Sequence, residues 1–142
     1  MNVTFWGNPC WKFLFSLTTN YPDEIKSKED YKLKECYYNF FLLLQYLLPC
    51  KYCRESYSIF IKRIPINDYL DSKIHLTYWL YLIKNEVNKK LLKQEIEKQL
   101  KKNKGNLINK EKIQQIYKKY KSPPFIDVVN YYDQFIYNPE LS

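Results

Sequence analysis

The sequence predicts an all-α protein, a bundle of antiparallel helices, and three observations predict it. Apolar residues recur at helical spacing along nearly the whole chain of 142 residues. No period-two run is long enough to form a strand. Proline-containing breaks cut the first part of the chain into four amphipathic segments joined by short links, the pattern of a helical bundle.

Each element follows from its spacing. Trp11, Leu14, Phe15 and Thr18 fall at i, i+3, i+4 and i+7, so a first helix runs from about Pro9 to Asn20 and stops at Tyr21-Pro22-Asp23. The second, about Lys28 to Leu48, places Leu33, Tyr37, Phe40, Phe41, Leu44 and Leu47 on one face. A third starts at Cys50, carries Cys53, Tyr57, Phe60, Ile61 and Ile64 as its stripe, and ends at Pro65. Asp71 or Ser72 caps a fourth, whose inner face is Leu76, Trp79, Leu80, Ile83, Val87 and Leu91. Beyond Leu92 the composition turns to lysine, glutamine and asparagine, with breaks at Gly105-Asn106 and Ser122-Pro123-Pro124. Helices are expected near Gln94–Lys102, Asn109–Lys121 and Phe125–Tyr137. Each is too short to stand alone, so all should pack on the bundle. The expected organisation is a main domain over residues 1–93 and a lysine-rich helical extension over residues 94–142.

Composition narrows the function. Aromatics make up 18% of the chain, which argues against disorder. The only glycines are Gly7 and Gly105, so neither a dinucleotide fingerprint nor a P-loop can be built. A nucleotide cofactor would have to be held by side chains and helix packing. The net charge of +8 is concentrated between Lys84 and Lys121. No arginine cluster or aromatic-basic interleaving accompanies it, so it reads as a solvated face and no nucleic-acid partner is expected. The longest apolar stretch, Phe40 to Leu48, is interrupted by Gln45 and too short to span a bilayer, and no signal-peptide pattern is seen. The expected address is cytoplasmic, where a CxxC is more often catalytic than structural.

That CxxC is the run Leu48-Pro49-Cys50-Lys51-Tyr52-Cys53-Arg54. At a helix start the helix's partial positive charge favours a thiolate, so the pair can exchange as well as close a disulfide. Half of a zinc site is the alternative. The other ligand types are Cys10, Cys36 and His75, scattered and without a second paired spacing, so no metal is expected. Cys10 and Cys36 are expected to be free thiols. A redox CxxC must pass its electrons on. The helical periods do not support a thioredoxin-like fold, which leaves a cofactor housed between helices.

Three stretches carry a resemblance. They are Trp6-Gly7-Asn8-Pro9-Cys10-Trp11 followed by Leu17-Thr18-Thr19-Asn20-Tyr21-Pro22-Asp23, the central Tyr46-Leu47-Leu48-Pro49-Cys50-Lys51-Tyr52-Cys53, and Trp79 to Leu91. The last fits the pattern W-x4-HNxVNxxL at nearly every defining position. In order and interval, over about Thr4 to Lys93, the chain resembles the Erv/ALR sulfhydryl oxidases.

The resemblance implies a four-helix bundle that binds FAD, oxidises thiols to disulfides and reduces oxygen to hydrogen peroxide. It makes Cys53 the flavin-proximal sulfur and Cys50 the one that exchanges with substrate. Gly7 and Trp11 would border the flavin, and Asn85, Val87, Asn88, Leu91 and Lys93 would hold the adenine and phosphate end. Two positions depart from the family, which usually has histidine where Phe15 and Lys84 stand. Both are still expected at the cofactor: phenylalanine keeps a ring, and lysine brings a charge that could meet a phosphate. No cysteine follows Cys53, so the extra disulfide of many cellular members is absent; compact forms encoded by large DNA viruses share that economy. The expected partners are oxygen and a dithiol protein such as a thioredoxin-like carrier, and a homodimer fits the family. The competing reading is a cofactor-free basic helical adaptor whose CxxC only pins a helix start.

Overall fold

Each helix begins where a side chain can take up backbone N–H groups left unpaired in its first turn. The computed structural model describes residues 1–136, and among them every regular element is helical. Asn2 caps α1 (Val3–Thr19) by accepting from the Thr4 N–H at 3.0 Å. Ser27 and Asp30 form a reciprocal capping box for α2 (Lys28–Leu47). The Ser27 hydroxyl accepts from the Asp30 N–H at 3.1 Å, and the Asp30 carboxylate accepts from the Ser27 N–H at 3.0 Å. Cys50 caps α3 (Lys51–Arg63) with its sulfur. After a 3-10 turn at Ile66–Tyr69, Ser72 begins α4 (Lys73–Lys102) by accepting from the His75 N–H at 3.2 Å. Asn109 caps α5 (Lys110–Tyr120), and Pro124 precedes α6 (Phe125–Asp133).

Three expected boundaries differ. The first helix starts at Val3, not Pro9, because Asn2 offers an earlier cap and the helix runs on through Pro9. The helix expected over Gln94–Lys102 is continuous with α4, since no glycine or proline separates Leu92 from Gln94 and the residues between are good helix formers. The last helix ends at Asp133; its expected end at Tyr137 lies outside the described residues.

The chain divides into two compact units, Met1–Ile83 with the chain from Pro124 onward, and Lys84–Pro123. In the first, α1 and α2 run antiparallel: the Tyr37 hydroxyl donates to the Leu17 carbonyl at 2.7 Å, and Phe13 meets Phe40 edge-on at 6.5 Å. α2 and α3 are also antiparallel. The Tyr57 hydroxyl donates to the Phe41 carbonyl at 2.5 Å, and the Ser58 hydroxyl to Gln45 Oε1 at 3.2 Å. The first part of α4 fills the centre with Leu76, Trp79, Leu80 and Ile83, each fully buried. The Trp79 indole donates to the Ile64 carbonyl at 2.8 Å and stands edge-on to Phe41 at 5.2 Å. Tyr21, also buried, donates to the Leu70 carbonyl at 2.6 Å. α6 returns to this unit: Tyr132 stacks on Phe15 at 5.2 Å, and Phe125 meets Tyr78 at 5.1 Å and Tyr81 at 5.3 Å.

In the second unit, α4 ends in a left-handed turn at Lys104 and Gly105, and the Gly105 N–H donates to the Leu100 carbonyl at 3.0 Å. Ile108, Ile116 and, on α4, Gln99 are buried.

The capping box makes one element sensitive to acid. Hydrogen bonds from the Ser27 and then the Lys26 backbone N–H groups hold the Asp30 carboxyl below its ordinary 3.8. Its contribution is therefore present above that value and lost as pH falls through the lower folded value. Asp30→Asn should melt at a lower temperature than the parent at pH 7. The gap should close as pH falls through the carboxyl's lowered folded value, below which the parent's carboxyl is protonated as well.

Candidate active site at the start of α3

The turn from α2 to α3 holds both cysteines of the CxxC. Cys50 has extended backbone geometry, and its sulfur accepts from the Cys53 N–H at 3.3 Å. Below it the Arg54 N–H donates to the Cys50 carbonyl at 3.0 Å, while the Arg54 guanidinium donates to the Leu48 carbonyl at 2.6 Å. The first turn of α3 carries no acidic residue to neutralise the helix's positive end. The backbone N–H and the helix dipole both favour negative charge at the Cys50 sulfur. Cys50 and Cys53 are half-buried, with exposed Tyr46, Leu47 and Tyr52 around them.

Gly7, Trp11 and Phe15 lie four apart on one face of α1. The Trp11 and Phe15 rings meet at 6.4 Å, and Phe15 is buried against Tyr132 of α6. A Cβ at Gly7 would meet only Val3, at an ordinary contact distance of 3.4 Å, so packing within the chain does not require glycine there. Trp6, next to it, has a buried indole N–H that makes no hydrogen bond.

The remaining candidates stand on α4 in the second unit. Asn85 and Asn88 are three apart, so both amides can address one ligand. Asn88 donates to the Ser122 hydroxyl at 3.0 Å, whereas Asn85 Oδ1 is buried and accepts nothing. Val87 is half-buried, and Leu91 and Lys93 are exposed. Burial pushes the Lys84 ammonium pKa down.

Cys10 and Cys36 are free, as expected, with Cys10 half-buried in α1 and Cys36 exposed on α2. Among the described residues no group of three or more His, Cys, Asp or Glu could hold a metal ion, and no helix is long and apolar enough to cross a membrane. A cavity of about 280 Å³ beside Thr19, Lys73 and Thr77 lies at the other end of α1 from Gly7.

The Erv1 / Alr family model matches residues 8–117. The chain belongs to the Erv1/Alr family. Its fold is similar to that of the yeast Erv1 core, with a TM-score of 0.56 and 24% identity, covering 64% of this chain and 72% of that one. No curated protein matches it. For an Erv1/Alr chain, sequence reasoning left three residues without a role. Trp6 sits inside the first motif, four before Cys10, and that spacing could have placed it on the cysteine-bearing stripe. Ser122 and Tyr132 lie in the extension and reach Asn88 and Phe15 only through the tertiary fold, which gives no local signal.

Two features fit a bound FAD, each within its own unit: a buried acceptor at Asn85 that receives no hydrogen bond, and a face of Gly7 where only Val3 comes within contact distance of a Cβ. Gly7→Ala should stabilise the cofactor-free fold by about 0.5–1 kcal/mol through helix propensity. The same change should lower bound flavin, read as the ratio of visible to ultraviolet absorbance. Stabilisation with undiminished flavin would show that the space over Gly7 is not used.

Proposed function

We propose that this chain is an FAD-linked thiol oxidase, which makes disulfides in protein dithiols with oxygen as the final acceptor and hydrogen peroxide as product. The observation that carries the reading is the Cys50 sulfur capping α3 with the Cys53 N–H on it, in a chain of the Erv1/Alr family. A substrate thiolate attacks Cys50 Sγ of the Cys50–Cys53 disulfide, forming a mixed disulfide and releasing Cys53 as a thiolate that keeps the electron pair. The substrate's second thiolate then attacks its own sulfur in the mixed disulfide. That closes the substrate disulfide and frees Cys50 as the leaving thiolate, with electrons and bonds balanced.

When bound, FAD would supply the two-electron acceptor that lets the Cys50 and Cys53 thiolates close again to their disulfide, and the route for those electrons to oxygen. Gly7, Trp11 and Phe15 from α1 border it in this reading, and Asn85, Val87, Asn88, Leu91 and Lys93 hold its adenine and phosphate end, with Lys84 as a cation beside them. Residues 1–93 form the oxidase part and residues 94–142 the extension. Cys50 is the port for electrons, because the sequence after Cys53 contains no cysteine to act as a shuttle. A compact dithiol carrier suits such a port, since its second thiol resolves the mixed disulfide at high effective concentration.

Purified protein should be yellow; a colourless, folded sample would favour the adaptor reading. Cys53→Ser should keep its flavin and lose thiol-driven flavin reduction in stopped-flow measurements. Cys50→Ser should keep a flavin whose long-wavelength absorbance reports a neighbouring Cys53 thiolate. The reverse assignment of the two spectra would exchange the roles.

Asn88→Ala tests the other end of the site. Bound flavin should fall, while loss of the bond to Ser122 costs the fold about 0.5–1.5 kcal/mol. Normal flavin content in that variant would remove Asn88 from the cofactor's contacts.

A further inference from the structure

Trp6, Cys10, Phe13 and Leu17 fall at i, i+4, i+7 and i+11 and form one stripe along α1. Its register against α2 is fixed at two points, Leu17 to Tyr37 and Phe13 to Phe40. Because the helices are antiparallel, moving seven residues back from Phe13 reaches Trp6, and moving seven on from Phe40 reaches Leu47. Leu47 is the last residue of α2, three before Cys50.

α3 gives the same level independently. It is antiparallel to α2 through Arg54 to Leu48 and Tyr57 to Phe41, hence parallel to α1. Cys10 lies close enough to Tyr57 to add to the rise that burial causes in the phenol's pKa. One turn back from Cys10 is Trp6, and one turn back from Tyr57 is Cys53. Trp6 therefore stands at the level of the cysteine turn, with a buried N–H that donates to nothing.

A buried donor without an acceptor is unfavourable, and that penalty is relieved when an acceptor develops beside it. We infer that Trp6 is a catalytic residue of the thiol exchange, its indole N–H donating to the Cys53 sulfur as that sulfur leaves with the electron pair. The inference rests on the thiol-oxidase reading. The bond breaking is Cys50–Cys53 and the bond forming is substrate sulfur to Cys50, with no proton transferred by the indole, which only shares its hydrogen with the new thiolate. The ionisable groups within a turn of Cys53 on α3 are Cys50, Lys51, Tyr52, Arg54, Glu55 and Tyr57; α2 brings Tyr46 and α1 brings Cys10 to the same end. Of the indoles, Trp79 is occupied by the Ile64 carbonyl.

The test uses the full chain without flavin, carrying Cys10→Ser, Cys36→Ser and Cys50→Ser so that Cys53 is the sole thiol. Its thiolate is titrated by the pH dependence of iodoacetamide alkylation, with and without Trp6→Phe. Removing the N–H should lower the thiolate fraction at pH 7 by about tenfold, a shift of about one pH unit in the alkylation midpoint. If Trp6→Phe does not fold, β-(3-benzothienyl)-alanine at position 6 keeps the bicyclic shape and lacks the N–H. A folded variant of either kind with an unchanged midpoint overturns the assignment. Because the titration uses flavin-free protein, a colourless parent chain would count against the oxidase reading and leave this result standing.

Discussion

The hydrogen bond from the buried Tyr57 hydroxyl to the Phe41 carbonyl fixes the register of α3 against α2, and the position of the cysteine turn follows from it. A slip of one residue along α3 rotates its side chains by about 100°, so Tyr57, Phe60 and Ile61 could not all remain buried. Phe41 is central to the same arrangement: its carbonyl takes the Tyr57 proton while its ring is edge-on to Trp79. Trp79 in turn is tied to Ile64 at the end of α3. The middle of α3 is thus held by α2 and its C-terminal end by α4. The turn that carries the CxxC is positioned by these contacts.

Much of this was legible in the sequence. The stripe Leu76, Trp79, Leu80 and Ile83 is the fully buried face of α4, and the stop at Pro65 and the cap at Ser72 mark real boundaries. Helix starts were harder to read. Pro9 is a strong local signal for a first turn, yet Asn2 caps two turns earlier and the helix runs through the proline. Composition suggested a boundary after Leu92, but composition alone does not end a helix; a residue that cannot continue it must do so, and the first is Gly105.

The candidate site rests on chemistry the sequence displays more than on contacts the sequence foretells. The CxxC, the α1 face and the paired asparagines follow from spacing and resemblance. The acceptors and donors that complete them do not, because Leu48 receives Arg54, Asn88 meets Ser122, and Phe15 meets Tyr132 only after the chain has folded. Phe15 shows why the departure from histidine is tolerated by the fold. Its ring has become a stacking partner for α6, a role a hydrocarbon ring fills without needing a hydrogen bond.

The left-handed turn at Lys104 and Gly105 has a practical consequence. Lys101, Lys102 and Lys104 are exposed there, and Leu107 is 96% exposed, so trypsin has open, lysine-rich backbone to cut between α4 and α5. A nick at that point would leave two fragments that still hold each other, one through Ser122 on Asn88 and the other through α6 against α1. Under denaturing electrophoresis the chain would run as two pieces while its native form stayed whole. The extension would then be separable by covalent criteria and inseparable by structural ones.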